Sequence, residues 1–182
     1  MTERFTEQTA IAAYCRERLA AQLRHARDLT SDRDSLYLTE PRPGGKWSIA
    51  ALFDHMAILN RLYLHEIQPA LEMASHSTRR AWSPTLAGRI LLWAVNTKLK
   101  LPTAPVFHPP DPSSDPNAIT RFLVSHQEIA DLLDRSVDVH WKSVRVSSPA
   151  SSFVKLNLGD VFLTLTDHAQ RHLAQVEAHQ GT

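Results

Sequence analysis

The stretch Asp160-Val161-Phe162-Leu163-Thr164-Leu165-Thr166-Asp167-His168-Ala169-Gln170-Arg171-His172-Leu173-Ala174-Gln175-Val176 decides the reading of this 182-residue chain. Val161, Leu165, His168, His172 and Val176 recur at spacings of three and four, so they share one stripe of a helix. That stripe faces a core, yet two of its members are imidazoles. Four residues apart, the two rings stand one turn above each other, with Cβ atoms about 6 Å apart, and two Nε atoms can converge on one ion at about 2.1 Å. Two histidines with unrelated partners would give the same spacing. Burying them side by side without a shared partner, however, leaves polar atoms to satisfy and penalises protonation of either ring.

Working outward, the helix carrying this stripe is expected to open near Asn157, with Leu156 and Val161 as a hydrophobic staple, and to run to about His179. A first helix is expected from about Thr6 to Asp28, with Ile11, Cys15, Leu19, Leu23 and Ala26 on one face. A second begins at Ser48 as cap, with Trp47 stapling onto Leu52, and is kinked or ended by Pro69 near Ala70. The connection from about Ser75 to Ser114 carries most of the prolines. Within it Ser83-Pro84 reads as cap and first residue of a short helix ending near Lys100, followed by an extended stretch from Pro102 to Pro112. Asp115-Pro116 opens a further long helix to about Arg135, whose stripe is Ile119, Phe122, His126, Ile129 and Leu133. Val144 and Val146 alternate with polar residues and suggest a short strand, but no alternation is long enough for a large sheet. Four long amphipathic helices without a competing sheet imply an all-α four-helix bundle. The long crossover between its second and third helices holds a short extra helix. No repeat and no boundary divides the chain, so residues 1–182 are expected to form a single domain.

Composition sets limits on function. Apolar residues make up 43% and charged residues 21%, which excludes a disordered chain. Twenty Lys and Arg against nineteen Asp and Glu leave a net +1, so no global field favours nucleic acid or an anionic membrane. The most apolar run, Ile90 to Val95, is too short to span a bilayer, and the N-terminus lacks a signal-peptide core. One cysteine, Cys15, fits a reducing cytoplasm and, with no adjacent His or Lys, reads as a buried thiol. From Met73 to Pro110 there are five Lys or Arg and no Asp or Glu. A solvated surface explains that bias more simply than a basic rim for an anionic ligand.

A third histidine joins the pair. His55 lies on the apolar face of the second helix between Leu52 and Leu59, completing a three-histidine set that matches a catalytic metal site with an open position. His126 occupies a seam position too and ranks below His55, as an outer partner or fourth ligand. His179 ends the last seam, where it would complement the helix dipole. The other histidines lack a converging partner. Familiar alternatives fail: the residues between His168 and His172 do not make HExxH, no Glu is followed by His at three, and no phosphate loop, GxSxG or nucleic-acid motif occurs.

Trp47-Ser48 opening a helix that carries Leu52-Phe53-Asp54-His55, together with Asp160 and the run His168 to Val176, resembles the DinB/YfiT-like superfamily of metal-dependent bundles. The resemblance implies an up-down-down-up four-helix bundle, often a homodimer, with a divalent metal held by His55, His168 and His172. It also implies chemistry like that of transferases and isomerases that use low-molecular-weight thiols such as bacillithiol and mycothiol. Three neutral histidines leave the ion its full double charge, so its open position attracts hydroxide, carboxylate or thiolate. The expected function is therefore activation of a small thiol for attack on an electrophile, by zinc, nickel or iron. Metal-assisted hydrolysis and a non-catalytic metal- or ligand-binding bundle are the alternatives. The sequence assigns no catalytic residue beyond the metal ligands.

Overall fold

A computed structural model describes residues 5–44, 46–97, 102–110, 115 and 117–180. Six α-helices are found among them: α1 (Gln8–Thr30), α2 (Ser35–Thr39), α3 (Ile49–Glu72), α4 (Leu86–Asn96), α5 (Asn117–Arg135) and α6 (Leu158–Gln180). A 3-10 turn spans Pro105–Phe107, and two strands, β1 (Arg145–Ser148) and β2 (Ser151–Asn157), form an antiparallel hairpin. The four long helices pack in a ring in which α1 meets α5 and α6, and α3 meets the same two. The short α4 lies outside this ring against α6. No helix among the described residues is long and apolar enough to cross a membrane.

The helices close where their sequences let them. Ser48 accepts a hydrogen bond from Ala51 N–H at 3.0 Å, the capping contact expected of it and worth about 1 kcal/mol. Asp115 accepts from Asn117 N–H at 2.8 Å at the start of α5. Asn157 and Asp160 cap α6 reciprocally: Asp160 N–H donates to Asn157 Oδ1 at 3.0 Å and Asn157 N–H to Asp160 Oδ2 at 3.1 Å. Leu156 and Val161, the expected staple, are both fully buried.

Several expectations need correction. Pro69 does not end α3, which continues to Glu72; a proline in the last turn removes only one donor from a helix already near its end. The cap of α4 is Thr85, whose hydroxyl accepts from Gly88 N–H at 2.9 Å, and Ser83 instead gives its carbonyl to Asn157. That helix stops at Asn96, and Lys100 lies outside the described residues. The extended stretch from Pro102 is interrupted by the 3-10 turn; residues 111–114 and Pro116 are outside the described set. The strand suggested by Val144 and Val146 has a partner that patterning did not reveal. β2 exposes Phe153 at 95% while burying Leu156, so its sequence carries no clean alternation. The fold is thus mostly helical with a small hairpin, and not purely helical.

Two partly buried contacts lock α4 onto α6. The Asp160 carboxylate also accepts from the backbone N–H and hydroxyl of Thr85, at 3.2 and 2.8 Å, and so lies directly under Gly88. A Cβ at position 88 would stand 2.2 Å from Asp160 Cγ, which is why glycine is required there. At the other end of α4, Arg171 Nη1 donates to the carbonyls of Ala94, Val95 and Thr97 at 3.3, 3.1 and 2.8 Å. These are carbonyls that a helix C-terminus leaves without intrahelical donors. Arg171 stands between His168 and His172 in sequence, so this lock fixes the part of α6 that bears both imidazoles.

Candidate metal centre

The groove between α3 and α6 brings together His55, His168 and His172. Their ligand-capable nitrogens all lie within 4.8 Å of one another. His168 Nε2 is 3.1 Å from Nε2 of His55 and 3.1 Å from Nε2 of His172. The ring centroids stand 5.0, 4.9 and 4.4 Å apart and the planes are steeply inclined, so the rings turn edges, not faces, to a common point.

A backbone carbonyl can only accept, so the 2.7 Å contact of His55 Nδ1 with Phe107 O puts the proton on Nδ1 and leaves a lone pair on Nε2. His172 Nδ1 likewise donates to Gln175 Oε1 at 2.9 Å, which again leaves a lone pair on Nε2. His168 Nε2 faces both lone pairs, and its single proton could serve only one of them. Protonating a second ring is opposed by the surroundings. All three pKa values are pushed below 6.5, His172 to about 3 and His168 well below the ordinary value, first by burial and then by the neighbouring imidazoles and Arg171; at His55 the charge of His108 adds to burial. Three Nε2 atoms turned to one point, two of them already bearing lone pairs, fit a cation. Tetrahedral ligands at about 2.1 Å would be about 3.4 Å apart, close to the spacing found. The set could hold a divalent metal with a position left open.

The surrounding residues orient these rings. The 3-10 turn after Pro105 aims the Phe107 carbonyl at α3, and this partner is a backbone atom that no side-chain pattern could have announced. Trp47 packs its ring 5.1 Å from that of His55 and 5.6 Å from that of His108, closing one side of the groove. His108 thus adjoins the site although its sequence position gave no sign of a partner. Asp54, next to His55, faces α5 instead. It accepts from Arg121 Nε and Nη2 at 3.0 and 2.8 Å, while Arg121 Nη1 reaches Asp115 at 3.1 Å. This chain of ion pairs ties α3 to the start of α5 beside the site.

His126 is not part of the cluster. It is fully buried between α5, α1 and α3, with Nε2 3.0 Å from Gln22 Oε1, Nδ1 3.3 Å from Asn60 Nδ2, and its ring stacked on Phe122 at 4.7 Å. Burial pushes its pKa down to about 3. Its stripe faces the core as expected, but the seam it faces lies across the ring of helices from the α3–α6 groove. His179 contacts the carbonyl of Gln175 one turn back. Cys15 is buried, and its thiol is pushed up to about 12 mainly by burial, which makes it inert at neutral pH. A basic rim does not form at the cluster from the described part of 73–110. Arg80 donates to Ser77 O beside the start of α1, and Arg89 lines a cavity on the opposite side of α6, while Lys98 and Lys100 lie outside the described residues.

No curated protein and no solved structure matches this sequence. The sequence profile of the DinB superfamily, by contrast, matches residues 16–176, from within α1 to within α6, and includes all three clustered histidines. The chain belongs to the DinB superfamily.

Proposed function

We propose that His55, His168 and His172 hold one zinc, nickel or iron ion in an up-down-down-up bundle, and that the protein is an enzyme that transfers a low-molecular-weight thiol to an electrophile. The observation that carries the reading is the convergence of three Nε2 atoms, two of them stripped of protons by hydrogen bonds on the far side of the ring. A divalent ion bound by three neutral nitrogens retains its double charge, and so would hold a thiol in its thiolate form at neutral pH.

The chain's own groups have definable tasks. Phe107 O and Gln175 Oε1 hold the His55 and His172 protons on Nδ1 and keep both Nε2 atoms aimed inward. Arg171, pinned on the end of α4, holds α6 in place and adds positive potential at the site, which favours an anionic sulfur. Trp47 and the 105–108 turn cover His55 and limit water on that side. In the proposed reaction the thiol proton leaves to solvent, a sulfur–carbon bond forms, and the leaving group departs with its electron pair.

The test is conjugation of monochlorobimane to a small thiol, cysteine or glutathione, where formation of the thioether releases chloride. We expect the protein to accelerate it in a metal-dependent way, and His168→Ala to remove the acceleration. Full metal occupancy without acceleration would refute thiol transfer while leaving the metal site intact. Ester hydrolysis by the same loaded protein would then point to a hydrolase.

A further inference from the structure

On the side of α6 away from the three histidines, α1, α4 and α6 enclose a cavity of about 280 Å3, room for roughly nine waters. Four aromatic side chains line it: Phe5, Tyr14, Trp82 and Trp93. Asp167 also lines it. The adjacent His168 points about 100° away around the helix, toward α3.

The Asp167 carboxylate is fixed in place. Oδ1 accepts from the Tyr14 hydroxyl at 2.9 Å, and Oδ2 accepts from Asn96 Nδ2 at 2.8 Å. Both donors are neutral, and each oxygen keeps a further lone pair. Among the described residues no cation forms an ion pair with Asp167. Arg18 covers one face of Tyr14 but directs its hydrogen bond to Gln170, at 3.4 Å. Arg89 also lines the cavity but is exposed, seven residues before Asn96 on α4 and so about 10 Å along the helix from the residue that holds the carboxylate. Arg171, one turn after Asp167 on α6, directs its guanidinium to the carbonyls of Ala94, Val95 and Thr97. An oriented carboxylate at one end of a ring-lined cavity is the arrangement that recognises an organic cation. The carboxylate accepts its N–H groups, and the negative faces of the rings attract its charge.

We propose that this cavity is a second ligand site, separate from the three-histidine cluster, for a small organic amine whose ammonium group binds Asp167 and whose apolar body lies between Trp82 and Trp93. Trp93 is 58% exposed at the cavity wall, so a bound ligand would cover it and shift its emission.

The test uses 2-phenylethylamine against 3-phenylpropionate, probes of similar size and opposite charge. Binding is measured by calorimetry and tryptophan emission on the full chain, before and after chelator treatment. We expect the amine to bind one per chain, at least about tenfold more tightly than the carboxylate, with or without metal. Asp167→Asn should weaken the amine by at least about tenfold while helix content and metal content stay unchanged. Trp93→Ala, at an exposed position, should reduce the emission change to the part that Trp82 reports. Equal binding of both probes, no binding up to about 10 mM, loss of binding on metal removal, or an unaffected Asp167→Asn variant would each overturn the proposal.

Discussion

Replacing Gln175 with leucine removes the acceptor of the His172 Nδ1 proton without touching a proposed ligand. The bond is 2.9 Å long and joins residues one turn apart on α6, so the change leaves backbone geometry alone. Outer partners of metal-bound imidazoles are worth roughly 10–100-fold in affinity. His172 is half-buried, so water can replace part of the lost contact, which puts the expected loss near the lower end. Gln175→Leu should therefore weaken zinc binding by about tenfold, or about 1.4 kcal/mol, and cost the fold no more than about 1 kcal/mol. Gln175→Glu should move affinity the other way, because a carboxylate acceptor makes the imidazole a more basic ligand. Competition against a chromophoric chelator at neutral pH reads both variants. An unchanged affinity in Gln175→Leu, or equal shifts of the same sign in both variants, would refute the idea that this hydrogen bond aims the ring.

Three other predictions test the neighbouring structure. His126→Ala should leave one metal per chain but destabilise the protein by about 2–4 kcal/mol in urea, since it vacates a buried space and orphans Gln22 and Asn60; loss of the metal would return His126 to the site. Acid should destabilise the metal-free protein. The unfolded chain takes up protons on these histidines near 6.5, whereas the folded chain resists down to about 3 at His126 and His172, so stability present above 6.5 is lost as pH falls through that window. Asp160, whose pKa burial raises, offsets part of this, and a urea midpoint that is flat from pH 6.5 to 4 would contradict the assignment. Gly88→Ala should lower Tm by about 10 °C, because its Cβ would meet the buried Asp160 carboxylate; a wild-type Tm would show that α4 is not held there.

What could be read from the sequence, and what could not, follows from the range of each signal. Helical spacing places His168 and His172 on one face, and Ser48 and Asn157 announce where α3 and α6 begin, because caps and stripes are local. Periodicity says that a residue faces a core, not which helix it meets there. That is why His126, on as regular a stripe as His55, ends against Gln22 and Asn60 and outside the cluster. The groups that orient the rings were harder still. Phe107 contributes a carbonyl, and Gln175 and Asp54 are adjacent to helix seams from which either could have turned toward or away from the site. In the crossover, Ser83 and Thr85 are both plausible caps, and the choice falls to Thr85 because Asp160 anchors it from another helix.

The central claim is that His55, His168 and His172 hold a metal. Its most direct test is metal content per chain by plasma mass spectrometry, on protein purified without a histidine tag, for wild type and His168→Ala. The account predicts about one divalent ion per wild-type chain, lost in the variant while the helices remain folded. Wild-type protein that stays empty after being offered zinc, nickel, iron and manganese would contradict it.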